Sequence, residues 1–308
     1  MKSSLLRGSI RVFLAGLLLT STSYAEAHCP GNVPALYPRM VAGALLVVPV
    51  KINGSGPYDF MVDTGSQLNV IDPALAARLG VKSRGKVGLI ATATAFQASV
   101  VILDSVDTGS QSVAKPLAAV QDLGAIQAAD PRIRGVLGEN FLGHFNVLID
   151  YRRRLVCLDE TNTMERELRG EAIPLVSPRD SANQVPFSEP LVIAVNLSDT
   201  GDREILLQLD SGSDGPILYS GNRKLEDALL KRARLQGPEV DGAHRAFAVL
   251  PAQDTRIGTR VIRKVPFVTP VNAATDVPDR EEDGLLATLL FERIFISHTN
   301  RFVILNPR

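Results

Sequence analysis

Two acidic residues of this chain, Asp63 and Asp210, stand in matching surroundings. The first begins the sequence Asp-Thr-Gly-Ser, and the second, 147 residues further on, begins Asp-Ser-Gly-Ser. Each follows one apolar segment and precedes another, which predicts an acid on a loop between two buried strands. A carboxylate in such a place is costly without partners. Two adjacent carboxylates hold one shared proton, because both cannot easily ionise, and one acts as a base while the other acts as an acid.

The residues after each acid are suited to holding a tight loop. Gly65 and Gly212 allow the backbone to turn sharply and to approach another segment closely. The hydroxyl groups of the residues directly before and after each glycine can donate and accept hydrogen bonds. We therefore predict Asp63 and Asp210 as the catalytic pair. The predicted supporting residues are Thr64, Gly65, Ser66, Ser211, Gly212 and Ser213.

The Asp-Thr-Gly tripeptide by itself does not identify a catalytic acid. Val62–Gln67 recurs letter for letter as Val106–Gln111, and the tripeptide occurs again at Asp199–Gly201. Asp107 is followed by polar residues at an expected hairpin turn, and Asp199 stands where the first passage has a turn. Asp and Gly are favoured in turns for their backbone properties alone. We interpret Asp107 and Asp199 as structural.

Two passages of the chain are built to one plan, which predicts an internal duplication. Leu46–Val50 and Tyr58–Val62 lead to the first acid, and Leu191–Leu197 and Ile205–Leu209 lead to the second. In each passage a turn that contains glycine separates the two apolar segments.

Both passages also end alike. Gly135–Gly138 and Gly284–Ala287 begin 72 and 74 residues after the respective acids, and each is followed by a further apolar segment. The second passage has Ala287 where the first has Gly138.

Short Val-, Ile- and Leu-rich segments between Gly, Pro, Asn and Asp favour an all-β fold with few short helices. We expect two lobes, residues 28–158 and 173–308, joined by a charged linker at residues 159–172. Helices are expected at Pro73–Leu79, with an N-cap before it and proline at its first position, and at Leu225–Leu235.

The first 27 residues are typical of an export signal. Basic residues precede a short apolar core, Val12–Leu19, and small residues follow as far as Ala27. The core is too short to span a bilayer comfortably. We therefore expect an exported protein, periplasmic or extracellular, with no membrane span in its mature form. Its two cysteines, Cys29 and Cys157, then meet oxidising conditions, but the sequence leaves open whether their Cα atoms come close enough for a disulfide.

Composition argues against several other functions. The chain has 33 basic and 33 acidic residues without a basic cluster, so we expect no nucleic-acid partner. It has four histidines and no metal-binding motif, so we expect neither a metal nor a cofactor. We interpret the scattered His144, His244 and His298 as surface or packing residues.

The two acid loops, Asp63–Ser66 and Asp210–Ser213, resemble those of the pepsin/retropepsin clan of aspartic peptidases. The resemblance extends in outline over nearly all of the mature chain, although only the two motif regions are specific to that clan. The resemblance implies two retropepsin-like β-barrel lobes whose acids meet at the interface, with a water between them that attacks a peptide carbonyl. It also implies a bacterial, exported monomer that acts on a peptide or protein substrate.

The resemblance further implies roles for the supporting residues. The hydroxyls of Thr64 and Ser211 would brace the loops against each other, and those of Ser66 and Ser213 would hydrogen-bond the carboxylates. Val87–Phe96 is the candidate for a flap over the cleft.

Three hypotheses stay open at this point. The first is a single-chain aspartic endopeptidase. The second, suggested by Ala287 and the untypical flap, is a non-catalytic peptide-binding protein. The third is a homodimer in which two copies of Asp63 pair, and the second motif argues against it. Cleavage assays of variants lacking either acid would separate the three.

Overall fold

A computed structural model of the chain describes residues 28–91, 94–177, 189–201, 203–219, 234–235, 247–270 and 282–308. Over these residues the architecture is all-β with short helices, which confirms the predicted fold class. The predicted export signal, residues 1–27, lies outside the described residues.

The strands and helices are numbered in chain order. The strands are β1 (Ala35–Leu36), β2 (Arg39–Val41), β3 (Leu45–Ile52), β4 (Ser55–Val62), β5 (Asn69–Ile71), β6 (Gly85–Ala91), β7 (Thr94–Ile102), β8 (Ser105–Thr108), β9 (Gln111–Ala114), β10 (Leu117–Val120), β11 (Ile133–Leu137), β12 (Asn146–Asp150), β13 (Leu155–Asp159), β14 (Ala172–Pro174), β15 (Val192–Leu197), β16 (Glu204–Asp210), β17 (Ile217–Leu218), β18 (Arg234–Leu235), β19 (Phe247–Val249), β20 (Gln253–Ile257), β21 (Arg260–Val265), β22 (Val268–Pro270), β23 (Gly284–Ala287), β24 (Arg293–Ser297) and β25 (Phe302–Leu305). The α-helices are α1 (Pro73–Leu79), α2 (Gly124–Ala129), α3 (Glu139–Leu142) and α4 (Thr163–Glu167), and 3-10 turns occur at Pro30–Asn32, Ser198–Thr200 and Thr288–Leu290.

Two large sheets repeat the same order of strands, as the predicted duplication requires. The first runs β6-β7-β10-β5-β11-β4-β3-β8-β9, with β2 also paired to β3. The second runs β18-β19-β22-β17-β23-β16-β15-β20-β21. The parallel pair β4–β11 of the first sheet has its counterpart in the parallel pair β16–β23 of the second. We call the halves that contain these sheets the first and second copies.

A third sheet, of order β1-β13-β12-β24-β25-β14, takes strands from both copies. At its centre the equivalent strands β12 and β24 pair antiparallel, with Val147 opposite Ile296 and Ile149 opposite Ile294. All four side chains are buried and belong to one apolar cluster that extends through both copies. The hydrophobic core is therefore continuous across the duplication.

Helix α1 has the predicted bounds, and its ends show why. The Asp72 side chain accepts a hydrogen bond from the Leu75 N–H at 2.6 Å, proline occupies the first turn, and Gly80 ends the helix with φ 62°. The prediction of a helix over Leu225–Leu235 falls largely outside the described residues. Its last two residues form strand β18, paired with β19, so the prediction is wrong there.

The charged stretch predicted as a linker contains helix α4. Met164 of this helix and Leu168, the residue that directly follows it, are buried in the apolar cluster that contains Cys29 and Cys157. These cysteines form a disulfide with Cα atoms 5.9 Å apart, next to the β1–β13 pairing. Across the described parts of the chain, no helix has the length and apolar character needed to cross a membrane.

Candidate active site

The ends of equivalent strands bring the two predicted acids together. Asp63 directly follows β4, and Asp210 is the last residue of β16. The two carboxyl groups lie within hydrogen-bonding reach of each other. A Cβ atom added to Gly65 would lie 2.6 Å from the Asp210 Cγ, and one added to Gly212 would lie 2.6 Å from the Asp63 Cγ. Each carboxyl group therefore packs on the glycine of the opposite loop, where a larger residue has no room.

Thr64 and Ser211 lock the two loops to each other. The Thr64 N–H donates to the Ser211 Oγ at 3.0 Å, and the Ser211 N–H donates to the Thr64 Oγ1 at 3.1 Å. The hydroxyls donate onward, from Thr64 to the Leu209 carbonyl at 3.1 Å and from Ser211 to the Val62 carbonyl at 2.9 Å. Both side chains are buried, so these four bonds are shielded from water. The contacts are those that the family resemblance implied.

The predicted role of the Ser66 and Ser213 hydroxyls is wrong. The Ser66 hydroxyl donates to the Leu68 carbonyl at 2.8 Å, and the Ser213 hydroxyl donates to the Gly215 carbonyl at 2.6 Å. Each closes a local turn two residues ahead, which is a common use of serine in loops. The carboxylates accept hydrogen bonds from the backbone of the glycines instead, from the Gly65 N–H to the Asp63 Oδ1 at 2.8 Å and from the Gly212 N–H to the Asp210 Oδ1 at 2.7 Å.

Burial and mutual repulsion raise the pKa values of the acid pair. Burial raises the pKa of Asp63, and hydrogen bonds from Asp210 and from backbone N–H groups oppose that rise. The pKa of Asp210 is raised further, first by burial and then by the charge of Asp63. The exposures agree with this order, since Asp210 is only 8% exposed whereas Asp63 is partly accessible. The arrangement can supply an ionised base and a protonated acid side by side.

Polar residues that were not predicted from the sequence hold the Asp63 loop. The Gly138 N–H donates to the Asn69 Oδ1 at 3.0 Å, and the Asn69 N–H donates to the Asn140 Oδ1 at 2.6 Å. The Glu139 N–H donates to the Ser66 carbonyl at 2.8 Å. The one signal for them was an asparagine within an otherwise apolar strand segment, where asparagine is disfavoured.

The Asp210 loop lacks these polar residues. Pro216 and Leu289 occupy the positions that correspond to Asn69 and Asn140. Ala287 pairs with Asp210 across β16 and β23, is fully buried and has an ordinary extended backbone, so its methyl group is accommodated.

One polar contact in the second copy has no equivalent in the first. The Gln208 Nε2 donates to the Gly65 carbonyl at 3.0 Å, and the residue that corresponds to Gln208 is Met61. Gln208 therefore adds a hydrogen bond between the loops, and Met61 of the first copy makes no equivalent bond.

Side chains also cross between the copies behind the acid pair. The His298 Nε2 lies 2.8 Å from the Glu139 Oε2, and the Tyr151 hydroxyl lies 2.6 Å from the Thr288 Oγ1. The interpretation of His298 as a surface or packing residue did not include its contact with a buried acid. His244 lies outside the described residues.

The other sequence predictions of this region have mixed outcomes. Asp107 lies within β8, just before the β8–β9 turn, and accepts hydrogen bonds from Ser105 and Ser112. Asp199 lies in a 3-10 turn. The described residues of the flap candidate Val87–Phe96 belong to the antiparallel strands β6 and β7, and residues 92–93 lie outside the described residues. Among the residues described, no group of three or more His, Cys, Asp and Glu side chains could hold a metal ion.

Comparison with known proteins finds a family similarity within the first copy. A family model described as aspartyl protease matches residues 48–141, which include the Asp63 loop and Gly138. A solved structure of a retropepsin-like aspartic protease from Rickettsia conorii aligns over 41% of this chain and 88% of its own, with 20% identity and a TM-score of 0.29. No curated protein matches the chain.

Proposed function

We propose that this protein is an aspartic endopeptidase that hydrolyses peptide bonds with a water activated between Asp63 and Asp210. The observation that carries the proposal is the packing of each carboxyl group on the glycine of the opposite loop. It brings the two acids together, with Asp210 buried and Asp63 partly accessible, and the pKa of each carboxyl group is raised. The aspartyl protease match of the first copy supports the same reaction.

In the proposed mechanism Asp63 is the base and Asp210 is the acid. Asp63 takes a proton from the water as the water oxygen bonds to the peptide carbonyl carbon, and Asp210 gives its proton to the carbonyl oxygen. The resulting diol collapses when a proton passes from Asp63 to the amide nitrogen and the C–N bond breaks. One diol hydroxyl returns its proton to Asp210, which restores the starting state.

The substrate that we propose is a peptide or a protein, bound by a monomer, because one chain supplies both acids. We propose an exported location, periplasmic or extracellular, from the leader-like residues 1–27 and from the Cys29–Cys157 disulfide, which is a bond typical of oxidising compartments. We propose no nucleic-acid partner and no cofactor.

The test is cleavage of a diverse peptide library by the purified protein and by its Asp63→Asn and Asp210→Asn variants, from acid to neutral pH. Asp107→Asn is the matched control, because Asp107 stands in an identical hexapeptide that lies in the β8–β9 hairpin, away from the acid pair. We expect turnover by the unchanged protein and the control, and none by the other two variants. Peptide binding without turnover by the unchanged protein would contradict the proposal and favour a binding protein.

A further inference from the structure

A buried acid and a histidine meet next to the Asp63 loop, and the proposed mechanism does not use them. Glu139 begins α3 directly after Gly138, and His298 follows β24 in the other copy. The Glu139 Oε2 and the His298 Nε2 are 2.8 Å apart, and their side chains are 1% and 11% exposed. Two ionisable groups so far from water need a defined proton arrangement.

The hydrogen bonds of His298 fix the number of protons in the pair. Its Nδ1 lies 2.6 Å from the Phe145 carbonyl, which can only accept, so Nδ1 carries a proton. The contact between Nε2 and Glu139 then needs one more proton between the two atoms. An imidazolium facing a carboxylate and a neutral ring facing a carboxylic acid both satisfy this condition. Loss of that proton sets two lone pairs against each other, and gain of another sets two donors against each other.

Other charged groups also act on this pair. Burial raises the pKa of Glu139, His298 opposes the rise, Asp63 adds to it, and Arg301 lowers it. Near His298, Glu165 of α4 is occupied by hydrogen bonds from the Ser297 hydroxyl and the Asn300 amide, each at 2.8 Å. The second carboxyl oxygen of Glu139 is buried and has no hydrogen-bond partner in the described structure, so His298 is the polar contact of this side chain.

Glu139 is joined to the Asp63 loop through its backbone. Its N–H donates to the Ser66 carbonyl at 2.8 Å, three residues after Asp63. The preceding Gly138 packs so tightly that an added Cβ would lie 2.2 Å from the Leu68 carbonyl oxygen. A shift of Glu139 would therefore move the loop that carries the acid.

We propose that Glu139 and His298 are positioning residues that hold the Asp63 loop in place as long as one proton is shared between their side chains. This inference rests on the proposed peptidase function. The equivalent contact in the other direction, Tyr151 with Thr288, joins two hydroxyls and needs no such titration. Tyr151→Phe is therefore a matched control that removes a cross-copy hydrogen bond without removing an ionisable pair.

The test compares kcat, KM and their pH dependence for His298→Phe, Glu139→Gln and Tyr151→Phe. We expect His298→Phe to lower kcat by about tenfold with little change in KM, because the acid loop is displaced rather than the substrate. We expect Glu139→Gln to retain kcat on the alkaline side, since its amide can donate to the neutral ring without a shared proton. Its activity should extend to higher pH than that of the unchanged protein, whereas Tyr151→Phe should keep the shape of the pH profile. Unchanged kcat in a folded His298→Phe variant, or identical alkaline limbs for Glu139→Gln and the unchanged protein, would overturn the proposal.

A second readout does not depend on peptidase activity. Because the pKa of Glu139 is raised in the folded protein, its protonated form stabilises the fold. This contribution is fully present at pH values below the ordinary carboxyl pKa and is lost as pH rises through the raised value. The stability of the unchanged protein relative to Glu139→Gln should therefore fall with rising pH in chemical unfolding experiments. A difference that does not vary with pH would overturn the titrating pair even if no substrate is cleaved. If the stability difference falls with rising pH but the protein cleaves no peptide, the proposed function is contradicted. A role of this pair in catalysis is then contradicted as well.

Discussion

The Asp63 loop and the Asp210 loop share a backbone plan but are held by different chemistry. Both have the reciprocal bonds of Thr64 and Ser211 and the glycine that receives the opposite carboxyl group. Beyond these, the Asp63 loop is fixed by amide side chains and by the contact of Glu139 with His298, whereas the Asp210 loop has proline, leucine and a contact between two hydroxyls in the same places.

Comparison of the two loops shows which parts of a duplicated site must match. The contacts that bring the acids together are present twice, since each acid needs the other loop. The contacts behind the loops only need to keep each loop in position, and a different set of residues does so in each copy. The asymmetry also separates the acids, because Asp210 is the more deeply buried and has the pKa raised further.

The largest expected effect tests the shared part of the two loops. Gly65→Ala and Gly212→Ala each place a Cβ 2.6 Å from the opposite carboxyl carbon, so the acids must separate. We expect each variant to lose activity by about 100-fold or more, since small misplacements of reacting groups are costly. Steady-state cleavage assays measure the loss. Gly215→Ala is the control, because its Cβ would meet no atom within 4 Å, and a similar loss there would contradict the argument.

The next effect tests the part in which the copies differ. Gly138→Ala puts a Cβ 2.2 Å from the Leu68 carbonyl oxygen, so the backbone must shift and we expect a loss of about 1–3 kcal/mol in unfolding free energy. The reverse change in the second copy, Ala287→Gly, should cost no more than about 1 kcal/mol. Urea unfolding of both variants measures the contrast. Equal costs would show that the two positions are packed alike.

The smallest effect concerns the ionisation of the pair and depends on pH. Because the pKa of Asp210 is raised, its protonated form stabilises the fold, and this contribution is lost as pH rises through the raised value. Asp210→Asn cannot ionise, so it should be more stable than the unchanged protein at neutral pH and similar to it in acid. Each pH unit of the shift corresponds to about 1.4 kcal/mol.

Thermal unfolding of Asp210→Asn across pH measures this effect. Asp63→Asn should change stability in the same direction, since removing either charge relieves the other. Asp107→Asn should not, and a stabilisation of that variant at neutral pH would point to a general surface-charge effect.

Much of the fold follows from local patterns in the sequence. The duplication, the all-β class and helix α1 are set by segments whose apolar spacing, turns and caps can be read directly. Helix α4 was missed because two apolar residues in a charged stretch, Met164 and Leu168, gave too short a pattern. The turn chemistry of Ser66 and Ser213 was missed because a hydroxyl has several acceptors within reach, and the sequence does not rank them.

The candidate site also contains residues that could be predicted from the sequence and residues that could not. The acids, their glycines and the Thr64–Ser211 brace were predictable because their motif occurs twice. The pair of Glu139 and His298 was not, since its members are 159 residues apart and meet only because β12 and β24 pair in the third sheet. Contacts produced by pairing between the copies leave no local signal.

In the proposed peptidase, Asp63 and Asp210 of one chain form the catalytic pair. Peptide cleavage by Asp210→Asn under conditions where the protein is monomeric tests it most directly, with the folded state checked by unfolding. We predict that this variant folds, binds peptide and has no turnover. Retained turnover would show that Asp210 is not part of the catalytic pair.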